Sequence, residues 1–255
     1  MPRQLLLDLG EPPPPTLDNF VVGKNIELLA RLRELSAACT GRLDPIAFPD
    51  RLLYIWSHQP GAGRTHLLHA LCHTAGCMAK LACPTSAQSA FEFEQTTRLY
   101  MIDDCHALSP GQQIAVFHLF NEVQAHRGYA FIATGNMPPL ALAVRDDLRT
   151  RLGWGLVFQL ESLDDAGKIS ALTQAAHARG FSLAPEVSNY LLRHFDRDMP
   201  SLMARLCALD HFSLEQCRVV TLPLLRKMLA PVDGPAADDP VRGCMQPGVY
   251  KTRHP

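Results

Sequence analysis

Three patterns follow one another in the stretch RLLYIWSHQPGAGRTHLLHALCHTA, residues 51–75. An apolar run of strand length (51–57) leads into a loop with two glycines, and the residues after the loop form an apolar helical pattern. A glycine loop between a buried strand and a helix is typical of sites that hold a phosphate group. The stretch therefore predicts an α/β fold with a phosphate loop.

Two further apolar runs of strand type lie downstream, at residues 98–104 (RLYMIDD) and 129–136 (YAFIATGN). A helix is predicted between them, and another precedes the glycine loop. The residues predicted to share the apolar face are Ile26, Leu29, Leu32 and Leu35 in the N-terminal helix and Ile114, Phe117, Phe120 and Val123 in the later one. Strands that alternate with helices predict a parallel sheet covered on both faces.

From about residue 160 the pattern becomes helical throughout. Segments 162–180, 184–195, 198–216 and 221–230 predict four helices, the first starting at Ser162 and ending at Gly180, and Leu202, Leu206 and Leu209 share one face of the third. The residues that follow are proline-rich, polar and aperiodic, which predicts disorder. The sequence thus predicts an extended arm with a proline spacer (1–15), an α/β nucleotide-binding domain (16–159), a small all-α domain (160–230) and a disordered tail (231–255).

The glycine loop is compared with the phosphate-binding pattern G-x-x-x-x-G-K-[ST]. His58 stands where the first glycine would be, Gly63 is the second, Arg64 replaces the lysine, and Thr65 supplies the hydroxyl that binds Mg²⁺. Arginine keeps the charge but is bulkier and planar, so binding survives more easily than catalysis. The predicted nucleotide-binding residues of the loop are Gly61, Ala62, Gly63, Arg64, Thr65 and His66.

Two acids end the second apolar run. Asp103 would lie beside the phosphate loop and hold Mg²⁺ together with Thr65, while Asp104 stands where a glutamate would orient water. Aspartate is one methylene shorter than glutamate, so slow self-hydrolysis is expected. Without a ligand, the two acids would simply end a strand in solvent.

Composition narrows the remaining classes of function. The 24 basic and 25 acidic residues leave a formal net charge of -1, which gives no whole-chain attraction to nucleic acid. The eight cysteines show no C-x-x-C pair or zinc spacing, so reduced core thiols are expected. No leader and no run of about 20 apolar residues is present, which predicts a cytoplasmic protein without a membrane partner.

The segments TLDNFVVG, PGAGRTHLLHA, YMIDD, GNMPP and DLRTRLGWG together resemble the DnaA-type AAA+ ATPases. From QLLLDL to TLPLLRKMLA, about nine-tenths of the chain resembles the Hda family, the regulatory inactivators of the replication initiator DnaA. The resemblance implies an AAA+ domain followed by a helical lid domain, with ADP or ATP and Mg²⁺ as cofactors.

The resemblance also implies roles for single residues. Asn136 matches the polar sensor of the γ-phosphate, with Thr134 as the alternative, and Arg151 matches an arginine finger that acts in trans, with Arg149 as a plain surface arginine nearby. Where a sensor arginine usually opens a lid helix, this chain has Pro200. Either Arg197 or Arg205 takes that role, or the chain works without it.

The N-terminal QLLLDL is similar to the short peptides that bacterial replication proteins insert into the sliding clamp. Gln4 would fill a polar subsite, and Leu5, Leu7 and Leu9 would be apolar anchors held out by the proline spacer. An N-terminal strand that docks on its own domain is the alternative.

Two functions are consistent with these features. The first is a regulator, tethered to the DNA polymerase III sliding clamp (the beta subunit) and contacting DNA only through it, that stimulates hydrolysis of DnaA-bound ATP through Arg151. The alternative is an autonomous AAA+ ATPase that acts as a loader or remodeller in DNA replication. The sequence leaves open a homo-oligomer and which nucleotide is resident.

Overall fold

The structure is a computed structural model that describes residues 14–41 and 50–230. Strands and helices alternate up to residue 159, and helices alone follow. The first group comprises α1 (Ile26–Cys39), β1 (Leu52–Trp56), α2 (Arg64–Ala75), β2 (Ala79–Ala82), β3 (Leu99–Ile102), α3 (Pro110–Ala125), β4 (Ala130–Gly135), α4 (Asp146–Leu152) and β5 (Leu156–Gln159). The second group comprises α5 (Asp165–Ala178), α6 (Pro185–His194), α7 (Met199–Glu215) and α8 (Leu222–Leu229).

The five strands form one parallel sheet in the order β2-β3-β4-β1-β5. In the register, Ile55 of β1 lies opposite Thr134 of β4, and Ile102 of β3 lies opposite Ala133 of β4. The carboxyl ends of β1, β3 and β4 therefore meet at one edge of the sheet, where α/β proteins bind ligands. The three predicted strands are confirmed, whereas β2 and β5 were not predicted.

Both faces of the sheet are buried, because successive residues of β1 point into different apolar clusters. Leu52 and Tyr54 belong to the cluster that packs under α3, while Leu53 and Ile55 belong to the cluster that packs under α1 and α2. This arrangement explains the continuous apolar runs, since a strand covered on both sides has no solvent face. The predicted α/β class with helices on both faces is confirmed.

Two predicted apolar faces are partly wrong. Ile26 at the start of α1 is 70% exposed, although Leu29, Leu32 and Leu35 are buried as predicted. Ile114 is 41% exposed, whereas Phe120 and Val123 are buried as predicted, together with Val116 and Leu119.

The four C-terminal helices form a lid domain with its own core. Leu202, Leu206 and Leu209 of α7 are fully buried, as predicted, and they pack with Leu172 of α5. The predicted start of α5 at Ser162 is wrong. The helix begins at Asp165, because the carboxylate of Asp164 accepts a hydrogen bond from the Gly167 N–H and caps the helix there.

The expectation of core thiols is mostly wrong. The seven cysteines that the structure describes are free thiols, but only Cys105 is buried, and burial raises its pKa. Within residues 14–41 and 50–230, no helix combines the length and the apolar character that spanning a membrane requires. Residues 1–13 of the predicted arm and the whole predicted tail (231–255), which contains Cys244, lie outside the described residues.

Candidate nucleotide site

The glycine loop joins β1 to α2 at the carboxyl edge of the sheet. Gly61 (φ +72°) and Gly63 (φ +107°) lie in the left-handed backbone region, which only glycine adopts without strain. Gly63 is the N-cap of α2, and no side chain among the described residues caps that helix. The first N–H groups of α2, including those of Arg64, Thr65 and His66, are thus available to an anion, and the helix dipole favours negative charge there.

Arg64 turns back towards the sheet rather than out of the loop. Its Nη1 donates to the carbonyl oxygens of Ser57 (2.7 Å) and Gly135 (2.8 Å), which end β1 and β4. Its Nη2 donates to Oδ1 of Asp104 at 3.0 Å, and the side chain is only 15% exposed. The planar guanidinium thereby links three neighbouring segments, a geometry that a lysine ammonium does not reproduce.

Asp103 lies at the centre of a second hydrogen-bond network. Its Oδ2 accepts from the Thr65 hydroxyl (2.7 Å), and its Oδ1 accepts from the fully buried Thr134 hydroxyl (2.5 Å). Thr134 in turn accepts the Asp104 N–H at 3.0 Å. The structure thus brings the predicted pair Thr65 and Asp103 together. Of the two candidate sensors, Thr134 is the one that contacts Asp103.

Asp104 has a left-handed backbone (φ +48°, ψ +52°), which is uncommon for any residue but glycine. Its carboxylate pairs with Arg64, and Nδ1 of His106 lies 3.9 Å away. The acid predicted to orient water is therefore engaged with the arginine that replaces the usual lysine.

Asn136, the other candidate sensor, follows β4 directly and is half-buried. The described residues include no hydrogen-bond partner for its side chain, which leaves it available to a ligand. The two candidate sensors thus differ in their surroundings. Thr134 is hydrogen-bonded within the network of Asp103 and Asp104, and Asn136 is outside that network.

Sequence reasoning missed a contributor from the N-terminal side. The ring of Phe20 lies so close to Gly63 that a Cβ there would be 2.8 Å from Phe20 Cε2, and the ring packs 5.6 Å from that of His66. Nε2 of His66 lies 3.2 Å from the Thr16 carbonyl oxygen, and burial lowers the pKa of His66, so the ring is neutral near pH 7. His66 therefore contributes packing to the loop rather than positive charge.

The lid reaches the loop through Pro200, in the first turn of α7. A Cβ on Gly61 would be 2.3 Å from Pro200 Cδ, so only glycine permits this approach. The two arginines considered for the sensor role are engaged elsewhere: Arg197 pairs with Asp165 (3.5 Å), and Arg205 stacks on Phe195 (4.7 Å). The lid thus contacts the loop through an apolar ring.

These residues fit a nucleotide with its metal ion. The uncapped helix end and the two glycines form a cradle for phosphate oxygens, and the hydroxyl of Thr65 and the carboxylate of Asp103 are the oxygen donors that Mg²⁺ prefers. Gly61, Ala62, Gly63, Thr65 and Asp103 would hold the phosphates and the ion. Arg64, the cation of the motif, is already bonded to three acceptors among the described residues.

Two arginines lie on α4, away from the loop, and they differ in their partners. Arg149 forms an ion pair with Asp146. Arg151 makes no ion pair within the described ranges; its Cζ lies 3.8 Å above the Trp154 ring and 5.7 Å from the centre of the Phe117 ring. Trp154, which sequence reasoning did not single out, is 43% exposed. The proposed clamp residues Gln4, Leu5, Leu7 and Leu9 lie outside the described residues.

Known protein families and sequences match both the helical C-terminal part of the chain and the chain as a whole. The family model described as "Hda, lid domain" matches residues 165–229. An uncharacterized protein of Haemophilus influenzae is 33% identical over 239 residues, which cover 90% of this chain and 99% of that protein. The match over nearly the full length of both chains indicates that they share one domain organisation.

Solved structures with the same fold include two replication initiation proteins and a branch migration motor. Domain III of the Thermotoga maritima replication initiation protein DnaA has a TM-score of 0.67 at 22% identity, covering 84% of this chain and 95% of that one. DnaA from Aquifex aeolicus, bound to AMPPCP, has a TM-score of 0.60 at 22% identity and covers 77% and 64%. The Thermotoga maritima RuvB Holliday junction branch migration motor has a TM-score of 0.61 at 13% identity and covers 85% and 71%. At these identities the likeness establishes the fold.

Proposed function

Because this chain belongs to the Hda family of DnaA-type AAA+ proteins, we propose that it is a regulatory inactivator of replication initiation. In this proposal it binds ADP or ATP with Mg²⁺, is tethered to the DNA polymerase III sliding clamp in the cytoplasm, and stimulates hydrolysis of the ATP bound to DnaA. Arg151 is the arginine finger that acts in trans.

The proposal rests on the observation that Arg151 has no carboxylate partner among the described residues. A finger must offer its guanidinium to a phosphate on another molecule, so it cannot be neutralised by a carboxylate of its own chain. Arg151 meets this condition in the described residues, whereas Arg149, two positions earlier, does not. Stacking on Trp154 limits the rotamers of Arg151 while its N–H groups stay free to donate.

The surroundings of Arg151 also support contact with a protein. Trp154 is 43% exposed, and Leu140, in the turn that packs beside α4, is 91% exposed. Exposed aromatic and apolar side chains beside an arginine are typical of protein–protein interfaces.

The loop supports nucleotide binding with weak hydrolysis. Bound nucleotide supplies phosphate charge to the cradle and a Mg²⁺ ion for Thr65 and Asp103. Arg64 holds the Asp104 carboxylate at 3.0 Å, so this acid does not orient a water molecule freely. The chain is thus proposed to use its nucleotide mainly to organise its own structure, while the reaction takes place on DnaA.

Tethering rests on the N-terminal segment. Gln4, Leu5, Leu7 and Leu9 would enter the clamp, and the prolines of the spacer would keep the segment extended. Contact with DNA is then indirect, in agreement with the net charge of -1.

The test is the hydrolysis of DnaA-bound ATP, measured with and without DNA-loaded clamp. Arg151→Ala is expected to reduce the stimulation by at least about a hundredfold, since arginine fingers contribute about 10³ or more to hydrolysis. The matched control Arg149→Ala removes an arginine from the same helix and is expected to retain stimulation within about threefold. Gln4→Ala is expected to remove the dependence on clamp.

Equal loss in the Arg149 and Arg151 variants would contradict the assignment of the finger. Absence of stimulation by the wild-type chain, together with ATP turnover by this chain alone, would favour the autonomous loader or remodeller instead.

A further inference from the structure

We propose that Asn25 is a positioning residue that fastens the lid over the phosphate loop and thereby sets the rate at which bound nucleotide leaves. The inference rests on the nucleotide binding proposed above, but it does not involve DnaA or the clamp.

Asn25 precedes α1, where an asparagine would ordinarily cap the helix, yet its side chain makes no capping hydrogen bond. The side chain reaches instead across 136 positions of sequence to Glu161. Its Oδ1 accepts from the Glu161 N–H (2.9 Å), and its Nδ2 donates to the carbonyl oxygens of Glu161 (2.9 Å) and Val22 (3.1 Å). Asn25 is 5% exposed, so these hydrogen bonds are shielded from water.

Glu161 lies in the short connection between β5 and α5, which is the entry to the lid. Next to Asn25, Gly23 has a positive φ (+52°), and a Cβ there would lie 3.1 Å from Leu163 Cδ2. The segment 20–25 therefore packs along the connection 161–163 over two adjoining contacts, one polar and one apolar.

The other end of the same N-terminal segment lies on the phosphate loop. Phe20 covers Gly63, and the Thr16 carbonyl oxygen lies 3.2 Å from His66 Nε2. The lid reaches the loop from a second direction, because Pro200 covers Gly61.

These contacts close a ring around the loop. This ring of contacts has two halves. In the first, Phe20 covers Gly63, and the segment from Phe20 leads to Asn25, which is bonded to Glu161. In the second, Glu161 leads into the packed helices α5 and α7, and Pro200 of α7 covers Gly61. Both glycines that shape the cradle are thus covered, one by the N-terminal segment and one by the lid. A nucleotide leaves when the ring opens, and either Asn25 or Pro200 is a point where it can open.

The experiment follows the release of N-methylanthraniloyl-ADP from the full chain with Mg²⁺, chased with unlabelled ADP in a stopped-flow fluorimeter. Asn25→Ala is expected to release the label about tenfold faster than wild type. Asn25→Asp keeps the Oδ1 acceptor but sets a carboxylate oxygen against the two carbonyl oxygens that Nδ2 bonds, so it is expected to release the label at least as fast as Asn25→Ala. A circular dichroism spectrum like that of wild type shows that each variant is folded.

Asn19→Ala is the matched control. Asn19 lies in the same segment, but its hydrogen bonds go to Thr16 and Pro14 and stay local, so release within about twofold of wild type is expected. Pro200→Ala is expected to speed release as well. The Asn25→Ala/Pro200→Ala double variant is expected to fall well short of the product of the two single effects, because both open one ring.

An unchanged release rate in Asn25→Ala, or effects of Asn25 and Pro200 that multiply independently, would overturn the inference and leave Asn25 as a structural residue only. A wild-type chain that binds no labelled ADP would overturn the nucleotide site itself, and the inference with it. Loss of DnaA stimulation in the separate hydrolysis assay would count against the proposed function alone.

Discussion

One buried hydroxyl holds the two acids after β3 in place. Thr134 donates to Asp103 and accepts from the Asp104 N–H, so Thr134→Val keeps the shape but leaves both groups without that partner. We expect the free energy of unfolding to fall by about 1–3 kcal/mol, for the loss of one hydrogen bond to a charged carboxylate and one from a backbone N–H, while Asp103 keeps the bond from Thr65 and the Asp104 N–H keeps Asp103 Oδ1. Urea denaturation measures it. Thr134→Ser, which keeps the hydroxyl, is expected to cost less than about 1 kcal/mol, and a loss in Thr134→Ser as large as that in Thr134→Val would contradict the role given to the hydroxyl.

Arg64 has a structural role that its position in the motif did not predict. Arg64→Lys keeps the charge but cannot reach the Ser57 and Gly135 carbonyls and Asp104 in the same fork geometry. We expect a loss of about 1–2 kcal/mol in the free energy of unfolding, measured by urea denaturation. The control Arg149→Lys alters an exposed pair and is expected to change it by less than about 0.5 kcal/mol. If Arg64→Lys also lowered the free energy of unfolding by less than about 0.5 kcal/mol, lysine would satisfy the same acceptors.

The edge strand β5 depends on a close backbone approach. A Cβ on Gly155 would lie 1.8 Å from the Leu52 carbonyl oxygen, and this backbone cannot move aside without disturbing β1. Gly155→Ala is expected to lower the free energy of unfolding by about 3 kcal/mol through overpacking. Gly111→Ala, in α3 with open space around it, is expected to stabilise by about 0.5 kcal/mol. Chemical denaturation of both variants checks the pair; a mild effect at Gly155 would contradict the register of β5.

The helix α7 presents Pro200 to the phosphate loop and is capped by Asp198, which accepts the Ser201 N–H at 2.9 Å. Hydrogen bonds from Ser201 lower the pKa of Asp198. The folded state thus favours the ionised carboxylate, so its contribution to stability is complete above the unfolded pKa of about 3.9 and is lost as the pH falls from there through the lower pKa of the folded state.

Thermal melting between pH 6 and pH 3 tests this cap. Asp198→Asn keeps a capping oxygen that does not titrate, so its melting temperature is expected to fall less steeply with acid than that of wild type. Asp198→Ala is expected to melt lower than wild type at neutral pH and to show the same shallower slope. If the melting temperatures of wild type and both variants fell equally with acid, the acid dependence would belong to groups other than Asp198.

The two domains meet at the glycine loop, so a bound nucleotide is expected to stabilise the whole molecule. With ADP and Mg²⁺ at a hundred times the dissociation constant, the free energy of unfolding should rise by about 2.7 kcal/mol. Removal of Mg²⁺ by EDTA is expected to reduce that gain, because the proposed ion site at Thr65 and Asp103 would then be empty.

Gly63→Ala serves as the variant for this measurement and Gly41→Ala as its control. Both glycines have positive φ, but a Cβ on Gly63 meets Phe20 at 2.8 Å, whereas a Cβ on Gly41 meets nothing within 4 Å. The response to ADP should be lost at Gly63 and retained at Gly41. A retained response in both variants would place the nucleotide elsewhere.

The phosphate loop, the parallel sheet and the lid helices could be predicted from the sequence, because each has a local pattern. Gly61 and Gly63 indicate a loop that needs positive φ, and the apolar runs indicate strands buried on both faces. The strands β2 and β5 were not predicted, because four residues of mixed composition show no periodicity. Phe20 and Trp154 escaped because an aromatic residue in a loop gives no local sign of what it covers.

By itself, the sequence of this protein determined the α/β class, the helical lid, the family and the residue types available at the site. These follow from periodicity and from motifs, which depend on neighbours along the chain. Only the tertiary structure decided which side chains are free and which are engaged: Arg64 is bonded to Asp104, Arg151 stacks on Trp154 without a carboxylate, and Asn25 is bonded to Glu161 rather than to its own helix. The physical reason is that a hydrogen bond or an ion pair depends on distances of a few ångströms between residues far apart in sequence, and folding alone sets those distances.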